Sequence, residues 1–452
     1  MIIPNLEDVP LFTKLRYLPF ITFLFVGIGL LWPWNNILSA TLYFQNNLFQ
    51  STTVYAKFFT SSMMTTSTIT SLIFNLYLSK RQHSYNQRVT RGLFWQILTF
   101  LILTLLSYIV TLIKYIPVGL IFLLVMILVG MSTVATALTQ NGIMAIANVF
   151  GPQFSQSVML GQAVAGVLPS TVLFFVTLIK NDNQVINDSD TETMNTSGVL
   201  FYFMTTVVVC VFSIFLYRMS NVNGILFTMV KTGNKNGINV SRDGLVDQGN
   251  NLLNYNEAVR EQDNNIHNRM STIPLGVLYR KLKYLLLSIF FTFVVTLIFP
   301  IFASTIKVNK LPLDNTQFVP LVFTVWNIGD LYGRVLADLP TFKDSRITPR
   351  VIFTYSLSRT LCIPLFLYFT VKNQKPINKL LWLDLTYILL QFLFGVTNGH
   401  VISLSFMKVP EQLDTNEEKE AAGGLTSVFV SIGLAAGSLV SYVFVAIIGK
   451  LG

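Results

Sequence analysis

Charge is scarce in this sequence. Only 12% of its 452 residues are Asp, Glu, Lys or Arg, about half the share found in soluble globular chains. At ~150 residues per domain, this length would make about three soluble domains, and so few charges cannot cover their surfaces. Cysteine is nearly absent. Cys210 and Cys362 both sit inside apolar stretches, which excludes a disulfide framework and leaves two small buried hydrophobes. There is no HExxH, no Cys or His cluster at metal-ligand spacing, no phosphate loop and no Gly-x-Ser-x-Gly. A metal site, a cofactor, direct ATP drive and soluble-enzyme chemistry therefore have no footing. What abounds is apolar: 52% of residues are hydrophobic and 13% aromatic. That composition rules out a disordered or collagen-like chain. An all-α polytopic membrane protein remains.

Crossing a bilayer core of ~30 Å takes roughly 20 mainly apolar helical residues. Eleven stretches qualify: 18–43, 55–79, 93–113, 117–147, 156–179, 199–218, 284–306, 317–339, 349–371, 379–407 and 421–448. The second is rich in Ser and Thr, whose hydroxyls bond to carbonyls one turn back, so it suits a protein interior or a wet cavity. The first follows Lys14 and Arg16. Its apolar run exceeds a signal-peptide core and is interrupted by Trp32-Pro33-Trp34-Asn35, so it is read as a mature helix.

The net charge is +10. In a membrane protein that excess is explained by basic loops on one side rather than by nucleic-acid binding. With the N-terminus inside, 20 of the 31 Lys and Arg residues fall in inside connections and 8 in outside ones. The positive-inside rule thus predicts a cytosolic N-terminus and, after eleven crossings, a lumenal or extracellular C-terminus. The acidic loop 181–198 lies outside in this scheme. Its sequons at Asn187 and Asn195 are candidate glycosylation sites. The connection 219–283 holds twelve Asn and reads as a largely disordered cytosolic linker. Its end, from Arg269 to Lys283, reads as a basic helix lying on the membrane surface. The linker divides the chain into a six-helix bundle, 1–218, and a five-helix bundle, 284–452. By analogy this 6+5 layout is major-facilitator-like, with a site between the bundles.

An ionisable side chain at mid-bilayer costs ~2.5–3.5 kcal/mol and must face a partner or an aqueous path. The eighth span contains Asn327-Ile328-Gly329-Asp330-Leu331-Tyr332-Gly333-Arg334. Asn327, Asp330 and Arg334 share one helix face by spacing. They offer amide, carboxylate and guanidinium to a cavity, or else a salt bridge that only holds the fold. Asp338, one turn nearer the cytosol, reads as a cap or gate. Arg359 in the ninth span reads as an inter-helix pair, with Asp330, Asp338 or a ligand as partner. In the first span Pro33 bends the helix, and Trp34 sets an aromatic plane near the membrane middle. That plane suits the flat face of a base or ring, or plain core packing. Gln140 in the fourth span suits the edge of an amide-like ring, or an inter-helix hydrogen bond. The small residues Gly161, Ala165, Gly166, Gly433 and Gly437 read as helix packing. His400 is the one intramembrane histidine.

The run Gly29-Leu30-Leu31-Trp32-Pro33-Trp34-Asn35, followed by Tyr43-Phe44, resembles the first-helix signature of the equilibrative nucleoside transporters. Asn327-x-x-Asp330-x-x-Gly333-Arg334 resembles that family's eighth-helix pattern. Arg359 with Pro364-Leu365-Phe366 is similar to the ninth, Thr397-Asn398-Gly399 to the tenth, and Glu420-Ala421-Ala422-Gly423 with Gly433 to Gly437 to the eleventh. Gln140 and Leu160-Gly161-Gln162 also match. These short motifs spread over residues 20–448 in the family's order. The resemblance implies facilitated diffusion of nucleosides, and of nucleobases as an extension, by alternating access. It implies that Leu31 and Trp34 lie beside the base with Leu38 nearby, that Gln140 bonds the base, and that Asp330 and Arg334 meet the ribose hydroxyls. Trp32 stands where a smaller aliphatic residue is common, which favours the fungal branch. A vacuolar or other endomembrane location then follows, with the plasma membrane as the alternative.

The expected partners are a small-molecule substrate such as uridine or adenosine and the lipid bilayer, with no nucleic acid; a monomer is favoured. Two other readings compete. A proton-coupled exporter of small polar solutes would use Asp330 as its titrating group. A non-transporting receptor or scaffold would bind partners through 219–283.

Overall fold

The computed structural model describes residues 18–113, 116–183, 196–222, 272–306, 308–342, 346–374 and 381–451. Among them every regular element is helical. The helices are α1 (Leu18–Ser39), α2 (Val54–Lys80), α3 (Tyr85–Leu112), α4 (Val118–Phe150), α5 (Pro152–Asn183) and α6 (Thr196–Val222). After the interval holding most of the Asn-rich segment come α7 (Leu275–Thr296), α8 (Phe299–Thr305), α9 (Asn315–Ala337), α10 (Pro349–Ser358), α11 (Cys362–Gln374), α12 (Leu381–Lys408) and α13 (Asn416–Leu451). Seven helical segments among the described residues are long and apolar enough to cross a membrane; α2, α5, α7 and α9 fall outside that set. In α2 and α9 the cause is visible in the sequence: Ser and Thr in one, Asn327, Asp330 and Arg334 in the other.

The helices lie inside out relative to a soluble protein. Large apolar side chains such as Phe58, Ile73, Leu105, Leu123, Phe175 and Leu361 are exposed, while Asn36, Arg88, Gln96, Asp330, Arg359 and Asp384 are buried. An apolar girdle around a more polar interior fits a lipid solvent and an interior that must satisfy its own hydrogen bonds. The molecule is an integral multi-pass membrane protein.

Packing follows two groups of helices. Within α1–α6, α1 packs on α5 and α6, α3 on α4 and α6, and α2 on α4. Within α7–α13, α9 packs on α12, and α7 on α13, α10 and α12. Two seams join the groups: α5 against α9 and α12, and α13 against α2 and α4. The joining apolar cluster holds Phe23, Val89, Met144 and Met159 from one group with Ile289, Ile402, Phe406 and Val430 from the other. Except for Ile289, just past the middle of α7, these residues lie in the halves of their helices nearest Lys80, Lys281 and Lys408. At the opposite end, the cluster around Phe44, Phe59 and Phe203 stays within the first group, and that around Phe302, Phe318 and Phe366 within the second. The groups therefore meet at the basic end.

Hydrogen bonds reinforce that end. Ser71 and Asn75 on α2 bond to Ser431 on α13 at 2.9 and 2.8 Å. Asn148 donates to the Lys419 carbonyl at 3.1 Å. Gln82, between α2 and α3, pairs with the Ile273 backbone through both amide groups, at 2.8 and 2.7 Å. The residues from Leu275 onward are not a separate surface helix. They continue into α7, because Leu278 and Leu282 are buried in the second group's core. Lys281 bonds to Asp414 and Glu418, both at 2.8 Å, and this ammonium holds the Asp414 carboxyl below its ordinary range. Most of the predicted linker, and both sequons at Asn187 and Asn195, lie outside the described residues.

Candidate functional site

Two glycine pairs set the geometry. Gly329 and Gly333 on α9 face Gly395 and Gly399 on α12, each pair four residues apart and so on one helix face. A Cβ on Gly333 would collide with the Val396 carbonyl, and one on Gly399 with the Asp330 carbonyl. Only hydrogen at these positions lets the two backbones touch, as in other small-residue membrane crossings. The crossing brings Asn398 beside Asp330. The Asn398 amide donates to Asp330 Oδ1 at 2.6 Å, and Arg334 Nε donates to Oδ2 at 2.9 Å. Arg334 Nη1 also donates to the Met159 carbonyl on α5 at 2.6 Å. Gln156, one turn earlier on α5, donates to the Arg334 carbonyl. A buried carboxylate stripped of one partner costs ~3–5 kcal/mol; here it keeps two.

The network continues through α7. Thr296 donates to Asn398 Oδ1 at 2.5 Å, and Arg359 reaches the Thr296 hydroxyl at 3.5 Å and the Thr292 carbonyl at 3.2 Å. The Arg359 guanidinium lies over the Phe394 ring at 4.7 Å, a cation–π contact. This corrects the ion pair expected for Arg359. Among the described residues no carboxylate is within ion-pair distance of it, because Asp330 is already taken by Arg334 and Asn398. Asp338 is the exposed residue capping the C-terminal end of α9.

A cavity of about 160 Å³ opens at the seam between the groups. Leu31, Gln140, Asn327, Asp330 and Arg334 line it, together with Gln162, Thr296, Trp326, Asn398 and Phe406 among others. Ligand pockets usually span ~300–1,000 Å³, so this one is contracted. Its two walls differ. On the α7–α13 side, Thr296, Asn327, Asp330, Arg334 and Asn398 are all hydrogen-bonded within the protein. On the other side, the amides of Gln140 and Gln162 have no hydrogen-bond partner among the described residues.

Trp34 and Leu38 are not brought to the cavity wall. Trp32 Nε1 donates to Thr205 on α6 at 3.0 Å, Asn36 donates to the Tyr202 carbonyl at 2.9 Å, and Asn35 donates to the Ala165 carbonyl on α5 at 2.6 Å. That last carbonyl is free because Pro169 cannot donate back to it. These bonds fix the rotation of α1. Trp34 then packs on the cluster that includes Phe44 and Phe100, and Leu38 is 39% exposed. Pro33 is buried within α1. His400 is away from the cavity, its ring edge-on to Phe342 at 4.4 Å.

The family model for nucleoside transporters matches residues 124–446. The nucleoside transporter FUN26 of Saccharomyces cerevisiae is 49% identical over 98% of this chain and 87% of its own length. The chain belongs to the nucleoside transporter family. Its similarity to FUN26 falls on the fungal side, as Trp32 suggested. The human equilibrative nucleoside transporter 1 is 23% identical over 94% of this chain and 96% of its own. Among solved structures, the proton:xylose symporter XylE of the major facilitator superfamily matches with a TM-score of 0.61 at 13% identity, covering 96% of this chain and 88% of that one. A bacterial ferroportin homologue in an outward-facing state matches at 0.54 and 13%, covering 96% of each. Those likenesses fix the fold as major-facilitator-like. The relatives and neighbours are transporters, not enzymes.

Among the polar cavity residues, Asn398 and Gln162 entered the sequence reading only as members of family motifs, with no role assigned, and Thr296 did not enter it at all. Gly395 and Gly399 flank Asn398 at four-residue spacing and mirror Gly329 and Gly333. That mirrored pair was the available signal.

Proposed function

We propose that this protein carries nucleosides down their gradient across an endomembrane, by alternating access of two bundles around the α5–α9 cavity. The observation that carries the reading is the cavity's composition. A carboxylate can accept about four hydrogen bonds. Asp330 accepts one on each oxygen from Asn398 and Arg334, so acceptor sites remain for two hydroxyl donors. Arg334 Nη2, which makes no hydrogen bond among the described residues, adds a donor beside them. Acceptor and donor held side by side by an α9–α12 crossing suit the vicinal hydroxyls of a ribose. Gln140, on the opposite wall, suits the edge of a base.

In this reading eleven helices cross the membrane in a 6+5 arrangement, 1–218 and 284–452, joined by the cytosolic segment 219–283. The basic end is cytosolic and closed, so the cavity's route runs to the lumen. Leu31 and Asn327 complete its walls. Trp34 and Leu38 lie about 4.5 and 10 Å beyond Leu31 along α1, at 1.5 Å per residue, and would meet the substrate only in another state of the cycle. Asn187 and Asn195 are lumenal glycosylation sites, and the vacuolar membrane is the favoured location.

Uptake of labelled uridine and adenosine into proteoliposomes, with and without an imposed pH gradient, tests this. Saturable uptake that equilibrates in both conditions is expected. Accumulation only with the gradient would replace the facilitative mechanism with a proton-coupled one. Absence of uptake of any nucleoside, from protein shown to be folded, would remove the substrate class.

A further inference from the structure

We propose that Gln162 is a sugar-hydroxyl ligand, reaching across the seam to the substrate held by Asp330 and Arg334. This rests on the nucleoside-carrier reading and adds a residue to it. Gln162 belongs to a stripe on α5: Met159, Gln162, Ala163 and Gly166 all line the cavity, at the i, i+3, i+4, i+7 spacing of one helix face. The stripe is docked on α9 on both sides of Gln162. Three residues before it, the Met159 carbonyl accepts from Arg334 Nη1 at 2.6 Å. Four residues after it, Gly166 packs so tightly on Asn327 that a Cβ would come within 2.6 Å of Asn327 Oδ1. Arg334 and Asn327 bracket Asp330 on α9 just as Met159 and Gly166 bracket Gln162 on α5. The two helices are antiparallel in this docking, so Gln162 stands level with Asp330.

Gln162 is also the one side chain of that stripe able to hydrogen-bond through an amide. Its amide makes no bond within the protein among the described residues and borders the cavity. An amide offers both a carbonyl acceptor and an NH2 donor. Asp330 only accepts and Arg334 only donates. A hydroxyl does both, so a sugar hydroxyl bonded to Asp330 through its proton retains lone pairs for the Gln162 NH2. Gln140, by contrast, stands on α4, which packs on α2, α3 and α13 rather than extensively on α9. Gln162 therefore belongs with the sugar and Gln140 with the base.

The test uses the full-length protein in proteoliposomes carrying Gln162→Met, which keeps the side-chain length and removes both polar groups, or Gln162→Asn, which shortens the reach. KM is measured for uridine and for its 2′-, 3′- and 5′-deoxy analogues. Loss of one ordinary hydrogen bond is worth roughly three- to tenfold. Gln162→Met should raise the uridine KM by that factor. For one of the three deoxy analogues, the one lacking the contacted hydroxyl, wild type and variant should agree within twofold. Gln162→Asn should keep the same pattern, and its folding margin covers the case in which Gln162→Met fails to assemble. An equal rise for all four compounds would make Gln162 a packing residue and overturn the proposal. So would a rise that differs between uridine and cytidine, measured alongside, while staying equal among the deoxy analogues. Absence of wild-type nucleoside uptake would remove the carrier reading and this proposal together; wild-type uptake with a hydroxyl-blind variant would remove only this one.

Discussion

Two carboxylates of the second helix group are equally buried and differently used. Asp384 near the start of α12 is 2% exposed, and Asp330 in α9 is 4% exposed. Asp384 receives the backbone N–H groups of Asn309, Lys310 and Leu311 at 2.8–3.1 Å and the Asn309 side-chain amide at 2.9 Å. Its acceptor capacity is full, and it pins the connection between α8 and α9 onto α12. Asp330 receives two side chains and borders the cavity. Burial of charge is therefore no marker of a site in this fold. What separates the two is who donates. Backbone donors saturate Asp384 and make it a staple. Two side-chain donors, one on each oxygen, leave Asp330 with capacity for a ligand.

The sharpest way to break this comparison is to remove Asp330. Asp330→Ala should lower nucleoside uptake at least tenfold. It also leaves the buried Arg334 charge without its partner, so Asp330→Asn is the companion variant: it keeps the shape and should lose transport while protein remains in the membrane. Normal uptake by Asp330→Asn would erase the distinction. Asp384→Ala should act on the other axis. It strips the partner from three backbone N–H groups, each worth ~1–3 kcal/mol when buried, although water at this loop recovers part of that. A fall in melting temperature of about 5 °C or more is expected, with the KM of the surviving protein within twofold of wild type. A KM change at constant stability would place Asp384 on the transport path.

This division explains how far the sequence could be read. Hydrophobic run length revealed a helical membrane protein because the bilayer imposes one length and one polarity on every span. The stripe Asn327–Asp330–Arg334 was legible because helical periodicity puts those residues on one face, and the structure puts all three at the cavity. Asp384 was passed over because it sits at the edge of a span, where a carboxylate looks merely interfacial; its four donors come from residues more than 70 positions away. Arg359 was misread for a related reason. An intramembrane cation suggests an anion, but its partners are a carbonyl, the Thr296 and Thr397 hydroxyls and an aromatic face, none of which has a charge to search for. Asn398 needed the crossing geometry of four glycines, visible only when the two motifs are set against each other.

Trp34 carries the same lesson for aromatic residues, with the smallest expected effect on transport. Its family motif places it beside the base, yet the bonds from Trp32, Asn35 and Asn36 turn α1 so that the ring packs on the Phe44 and Phe100 cluster. If that packing is its main role, Trp34→Ala opens a void among large aromatics. Such truncations cost ~3–5 kcal/mol when fully buried; this half-buried ring should cost less, seen as a lower melting temperature. The KM for uridine and for adenosine should each move less than threefold, and their ratio should stay constant, because a ring off the cavity wall has no means to tell a pyrimidine from a purine. A changed ratio would show that the ring reaches the base in another state of the cycle, where the end of the molecule around Phe44 closes. Trp34 would then join Asp330 among side chains whose role depends on a ligand, and the rotation of α1 would become part of the transport step.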